Sequence, residues 1–231
     1  MIARKSLEHH LSAIEDAISG QCDQIESMIR LAYHGLCERC VGTADKVMAM
    51  EERINENEVL IEEECLTVLA LQQPVASDLR RTAAALKINS DLERIADLAL
   101  NLAERTESLA KFPQLDIPDR LTNMVLFSIE MLHDAREAFL KTDRTLAAKV
   151  RRDDSELDDL NRQVIVELTE KMEANPELVS GYLHLFSASR IVERIGDHAT
   201  NIAEDIEYVV DGEIHRHQIL DFASKRRLSN S

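Results

Sequence analysis

The sequence predicts an all-α protein made of two tandem, antiparallel three-helix bundles. Three observations carry that prediction. Only six Gly and four Pro punctuate 231 residues, too few for the many turns of a strand-rich fold. Apolar residues recur at three- and four-residue steps over long stretches, the period of a helix buried along one side. Residues 93–104 return as residues 193–204 with eight identities in twelve positions and no gap, which marks internal duplication.

The elements follow in order. A first helix over residues 6–40 buries Leu7, Leu11, Ile14, Ile18, Ile25, Ile29 and Leu36. Thr43 offers an N-cap for a second helix running to about residue 72. Pro74 breaks that helix, and Ser77-Asp78-Leu79 opens a third that reaches about residue 109. Two prolines and no helical period mark residues 111–117 and their border as a linker. Pro118 sits in the first turn of a fourth helix ending near residue 140, and Thr142 or Asp143 caps a fifth that runs to about residue 174. Asn175-Pro176-Glu177 reads as cap, first-turn proline and acidic first turn of a sixth helix ending near residue 211. The organisation is a first bundle over residues 1–110, the linker 111–117, a second bundle over 118–214, and a tail over 215–231. Short connections make consecutive helices antiparallel neighbours.

Composition narrows the function. A net charge of -16 repels phosphate backbones and anionic headgroups and draws cations, so nucleic acid is not an expected partner. No apolar run approaches the roughly 18 to 20 residues that span a bilayer, and the amphipathic, acid-containing N-terminus lacks the pattern of a signal peptide. The expectation is a cytoplasmic protein without membrane insertion. With 3% aromatic residues and no Trp, the core is expected to be aliphatic. The four cysteines, Cys22, Cys37, Cys40 and Cys65, are expected to be free thiols, since one CxxC without a second or a paired His is a weak zinc signal. His9-His10 and His215-Arg216-His217 are expected to face solvent.

The repeated segments carry the candidate chemistry. At about 100° per residue, Glu93, Asp97, Asn101 and Glu104 share an arc of roughly 80° on their helix, and Glu193, Asp197, Asn201 and Glu204 repeat it. Ile88, Leu92, Ile95, Ala99 and Leu102 lie opposite, so the stripe faces outward from its own bundle. Carboxylates four apart on a helix repel one another, yet both copies keep the pair, and a multivalent cation reverses that repulsion. Glu58 and Glu62 on the second helix, and correspondingly Asp154 and Asp158 on the fifth, are placed to converge on the stripes. Oxygen donors of this kind suit iron, manganese, magnesium or calcium better than structural zinc, and several carboxylates together can bridge more than one ion.

Two other readings compete. A ferritin-like di-iron enzyme needs Glu-x-x-His on two helices pointing into a core, and Glu130-Met131-Leu132-His133 supplies one. A metal-free acidic docking scaffold would use the same carboxylates against basic partner surfaces. No Gly-rich phosphate loop or nucleophile motif is present, so the chain is read as a non-enzyme. Arg94 and Arg194 beside the first acids are candidates for holding an anion.

The two Glu-Arg-Ile-x-Asp segments resemble the PhoU family, accessory and signalling proteins of phosphate transport. So do Gln73-Pro74-Val75-Ala76-Ser77-Asp78-Leu79-Arg80, Glu58-Val59-Leu60-Ile61-Glu62 and Met131-Leu132-His133-Asp134, and the resemblance extends from the first helix to about residue 217. It implies two three-helix bundles, each able to carry a multinuclear metal cluster, most often iron, with zinc admitted. It implies a negative regulator that couples the phosphate ABC transporter, through its ATPase subunit, to a sensor histidine kinase when phosphate is plentiful. Metal ligation carries over first to Glu93, Asp97, Glu193 and Asp197, then to Asp158, Asp154, Glu62 and Glu58, and last to Asn101, Asn201, Glu104 and Glu204. Glu62 stands where the family usually shows Asp, so the two clusters are expected to differ. Long amphipathic helices are compatible with a homodimer, although no heptad seam specifies one.

Overall fold

The computed structural model describes residues 2–212, and all of its regular structure is helical. The helices are α1 (Ile2–Glu38), α2 (Thr43–Thr67), α3 (Ala76–Leu109), α4 (Asp119–Lys141), α5 (Arg144–Ala174) and α6 (Val179–Asp211). α1, α2 and α3 pack on one another, as do α4, α5 and α6. α3 lies along α6 and α1 touches α4, which joins the two bundles. One aliphatic core of Leu, Ile, Val, Met and Ala runs through both.

The helix ends show how local chemistry sets the boundaries. Gly42 adopts φ 83° before α2, a left-handed conformation that glycine takes without a Cβ penalty. Thr43 therefore sits inside the helix instead of capping it, and its Oγ1 donates to the Cys40 carbonyl at 2.7 Å. Asp143 is the cap of α5, accepting from the Thr145 and Leu146 amides, while Thr142 takes the left-handed position that ends α4. Pro118 precedes α4 by one residue. Asn175 turns back to the Lys171 carbonyl at 3.0 Å, so a 3-10 turn, Pro176–Leu178, leads into α6 without a side-chain cap.

α2 continues into a π-helical turn, Val68–Gln72, before Pro74 stops it. Gln73 and Ala76 on either side of the proline both have positive φ, 47° and 48°. The linker is pinned to both bundles: Leu115 is buried, its carbonyl accepts from Arg39, and Phe112 lies against Gly181. Among the described residues, no helix is long and apolar enough to cross a membrane.

Candidate metal centre

The duplication is visible in what is buried. On α3 the buried residues include Leu92, Ile95, Ala96, Ala99 and Leu102, and on α6 Val192, Ile195, Gly196, Ala199 and Ile202, a constant separation of 100. On α2 they include Ala44, Val47, Ile54, Ile61 and Cys65, and on α5 Ala147, Val150, Leu157, Val164 and Leu168, a constant separation of 103. The structural counterpart of Asp154 is therefore Glu51, that of Asp158 is Asn55, and that of Asn161 is Glu58. The correspondence of Glu58 and Glu62 with Asp154 and Asp158 is out of register by seven residues. Equal i, i+4 spacing pairs those acids on paper, but the apolar positions, which must face the core, fix the true alignment.

Each acidic face consequently combines four carboxylates and one amide. The first has Glu51, Glu58, Glu93 and Asp97 with Asn55; the second has Asp154, Asp158, Glu193 and Asp197 with Asn161. The amide and one acid exchange places between the copies. Glu62, exposed and one turn beyond Glu58, is carried away from Asp97: the Asn89 amide donates to the Glu58 carbonyl at 2.8 Å, so Glu62 stands level with the part of α3 before Asn89. The stripes lie in the cleft between neighbouring helices and are partly covered. The Glu93 and Glu193 side chains are 19% and 13% exposed, against 42% for Asp97.

The carboxylates feel one another. Burial raises the Glu93 carboxyl above its ordinary value, and the charges of Asp97, Glu58 and Glu51 raise it further against the pull of Arg94. Asp154 is raised by burial and by Asp158, while a hydrogen bond from Thr200, 3.2 Å, opposes the shift. Asp197 is pushed up to about 6, first by desolvation between α5 and α6 and then by Glu193, Asp154 and Asp158. It keeps a solvent-facing side, so the crowd of like charges accounts for much of what holds its proton. Arg190 donates to Glu193 Oε1 at 2.7 Å, leaving Oε2 buried without a partner. In the first copy Arg94 lies 3.5 Å from Glu93 and 3.9 Å from Asp97.

A model of the PhoU domain matches this chain twice, over residues 18–106 and 121–206. The chain belongs to the PhoU family. It is similar to the phosphate-specific transport system accessory protein PhoU homolog of Deinococcus radiodurans, 34% identical over 209 residues that cover 90% of this chain and 98% of the relative. It is likewise similar to the homolog of Pseudomonas aeruginosa, 34% identical over 226 residues covering 94% and 93%. Among solved structures, PhoU from Pseudomonas aeruginosa superposes with a TM-score of 0.76 at 32% identity, covering 92% of this chain and 99% of that one. The phosphate transport system regulatory protein PhoU from Streptococcus pneumoniae superposes with a TM-score of 0.84 at 25% identity, covering 90% and 98%.

Against the PhoU pattern, the outlying candidate ligands have other partners. Asn101 donates to the Asp97 carbonyl at 2.8 Å, and Glu104 lies 4.0 Å from Arg105. Asn201 turns toward α3 and donates to Asp91 Oδ1 at 3.3 Å. Glu204 is 3.8 Å from Arg151, which also donates to Glu207. The lone Glu-x-x-His does not assemble a core site: Glu130 accepts from Lys149, and His133, half-exposed, faces Glu26 at 3.4 Å. His10 is half-buried against Glu64, a correction to its expected exposure, whereas His215 and His217 lie outside the described residues. The four cysteines are free, Cys22 and Cys65 within the core.

A cation fits the PhoU faces in donor type and charge. Among the described residues, no three His, Cys, Asp or Glu side chains already stand together as a metal-holding group. Yet the orphan Oε2 of Glu193 and the unpartnered buried Oδ1 atoms of Asn55 and Asn161 are oxygen acceptors in want of a positive partner, all on or beside the two faces.

Proposed function

We propose that this chain is a non-enzymatic, cytoplasmic accessory regulator of phosphate uptake. In phosphate-replete cells it couples the ATPase subunit of a phosphate ABC transporter to a sensor histidine kinase and holds the starvation response off. The observation that carries this reading is the PhoU-domain match in both halves, together with relatives named as phosphate-specific transport system accessory proteins along nearly their whole length. A strain lacking the gene is expected to express its phosphate-starvation genes in abundant phosphate, and the intact gene to restore repression. Normal repression in the deletion strain would sink the regulatory reading.

The second part of the proposal is that the two faces each hold a hard-cation cluster, with iron the first expectation and manganese, magnesium, calcium or zinc as alternatives. Glu51, Glu58, Glu93 and Asp97 would hold the first, and Asp154, Asp158, Glu193 and Asp197 the second. A bound cation supplies the positive charge that offsets the mutual repulsion of these acids. What supports this is the raised carboxyls of Glu93, Asp154 and Asp197. Elemental analysis of the purified protein is expected to find metal that falls by about half in Asp97→Ala or Asp197→Ala and disappears in the double variant. Metal-free parent protein that still represses would favour the docking scaffold, for which the arginine-paired acids Glu93 and Glu193 are the argument. Light scattering tests the expected homodimer.

A further inference from the structure

The α1–α2 side of the first bundle carries an open groove of about 400 Å3. Ala13, Ala17 and Gly20 of α1 form one wall, and Leu60 of α2, 61% exposed, stands on the other. Against the groove lies Gln21, only 1% exposed, and neither its Nε2 nor its Oε1 has a partner. A buried carboxamide with both ends unsatisfied is costly and calls for an explanation. One donor and one acceptor side by side match the edge of an extended peptide, where the N–H and C=O of a single residue project in the same direction. Glu64 lines the groove with its Oε1 held by His10, and Glu63 is exposed beside it.

We propose that this groove binds an extended peptide segment of a partner protein, one that sets an aliphatic side chain against Ala13, Ala17 and Leu60 and a basic side chain toward Glu63 and the Glu64 oxygen that His10 does not hold. Gln21 rotates to receive the backbone edge of the residue between them. The net charge of -16 selects a cationic peptide and disfavours nucleotides, whose bases offer the same donor–acceptor edge but carry phosphate. The segment engages α1 and α2 without using either acidic face, so the inference stands apart from the metal proposal.

Gly20 allows a clean test, because a Cβ added there meets nothing within 4 Å and a leucine fills the groove without disturbing the core. The full chain is titrated into a fluorescent heptapeptide of alternating leucine and lysine, with the glutamate-for-lysine peptide, uracil and nicotinamide as comparisons. Saturable binding is expected, weakened at least tenfold by Gly20→Leu and by Gln21→Leu, and unchanged by Asp197→Asn. Gln21→Leu is also expected to raise the melting temperature, since a purely structural glutamine would lower it on removal. Equal binding by parent and Gly20→Leu would assign the attraction to overall charge and overturn the proposal. Binding of uracil or nicotinamide that displaces the peptide or occurs in its place would overturn the peptide as occupant.

Discussion

His198 on α6 places its Nδ1 2.8 Å from Asp91 Oδ1 on α3, a polar pair across the contact that joins the two bundles. Under the separation of 100 its mirror pair is Leu98 with Ile191, both buried. One side of the duplicated contact is thus polar and the other apolar. Asp91→Ala is expected to cost about 1–2 kcal/mol of stability by leaving His198 and Asn201 without their acceptor. The double change Asp91→Ile with His198→Leu, which copies the apolar side, is expected to cost less than the sum of the single changes. A double-mutant cycle by urea denaturation measures the coupling, and strict additivity would show that the pair contributes nothing jointly.

The acid cluster predicts a pH dependence. Asp197 titrates near 6 in the fold and at its ordinary 3.8 when unfolded, so between those values the folded chain binds more protons than the unfolded one. Its contribution is present below pH 3.8, is lost as pH rises through 6, and is absent above. Asp197→Asn is therefore expected to flatten the fall in melting temperature of the metal-stripped protein between about pH 4 and 6 and to leave it more stable than the parent at neutral pH. A parallel profile for the two proteins would contradict this origin.

Gly196 sits inside the second acidic motif because α5 approaches closely there. A Cβ at that position would lie 2.1 Å from Leu157 Cδ2, and Leu157 is 1% exposed with little room to retreat. Gly196→Ala is expected to cost about 1–3 kcal/mol through overpacking, despite alanine's better helix propensity. Leu157→Val in the same background should recover part of the loss, which a denaturation series would read directly.

Thiol reactivity provides a fourth check. Burial pushes Cys22 and Cys65 up to about 12 and raises Cys37, whereas Cys40 is exposed. Ellman's reagent at pH 8 should modify Cys40 first and Cys37 more slowly, with Cys22 and Cys65 reacting only after unfolding. Rapid modification of all four in the native protein would mean that the α1–α2 core opens readily.

Six helices, their order and the α3–α6 copy were legible in the sequence because period and identity record them directly. Capping was less so: Thr43 has the right chemistry, but the left-handed Gly42 ends the turn one residue early. The α2–α5 relation was missed for a different reason. Glu58 and Glu62 repeat the spacing of Asp154 and Asp158, and spacing alone cannot distinguish one turn from the next. The signal was present in Val47, Ile54, Ile61 and Cys65, which match Val150, Leu157, Val164 and Leu168. Reading it would have brought Glu51, Asn55 and Asn161 into the candidate faces and removed Glu62.

The difference between separations of 103 and 100 means that the second bundle carries three fewer residues in its α5–α6 connection than the first bundle carries between α2 and α3. The π-helical turn Val68–Gln72 and the kinked Gln73–Ala76 stretch absorb that surplus at the bundle tip. The junction thus works as a slack coupling. The two repeats differ there by three residues while their carboxylates still meet across α2–α3 and α5–α6, so length at the tip is decoupled from register at the acidic faces.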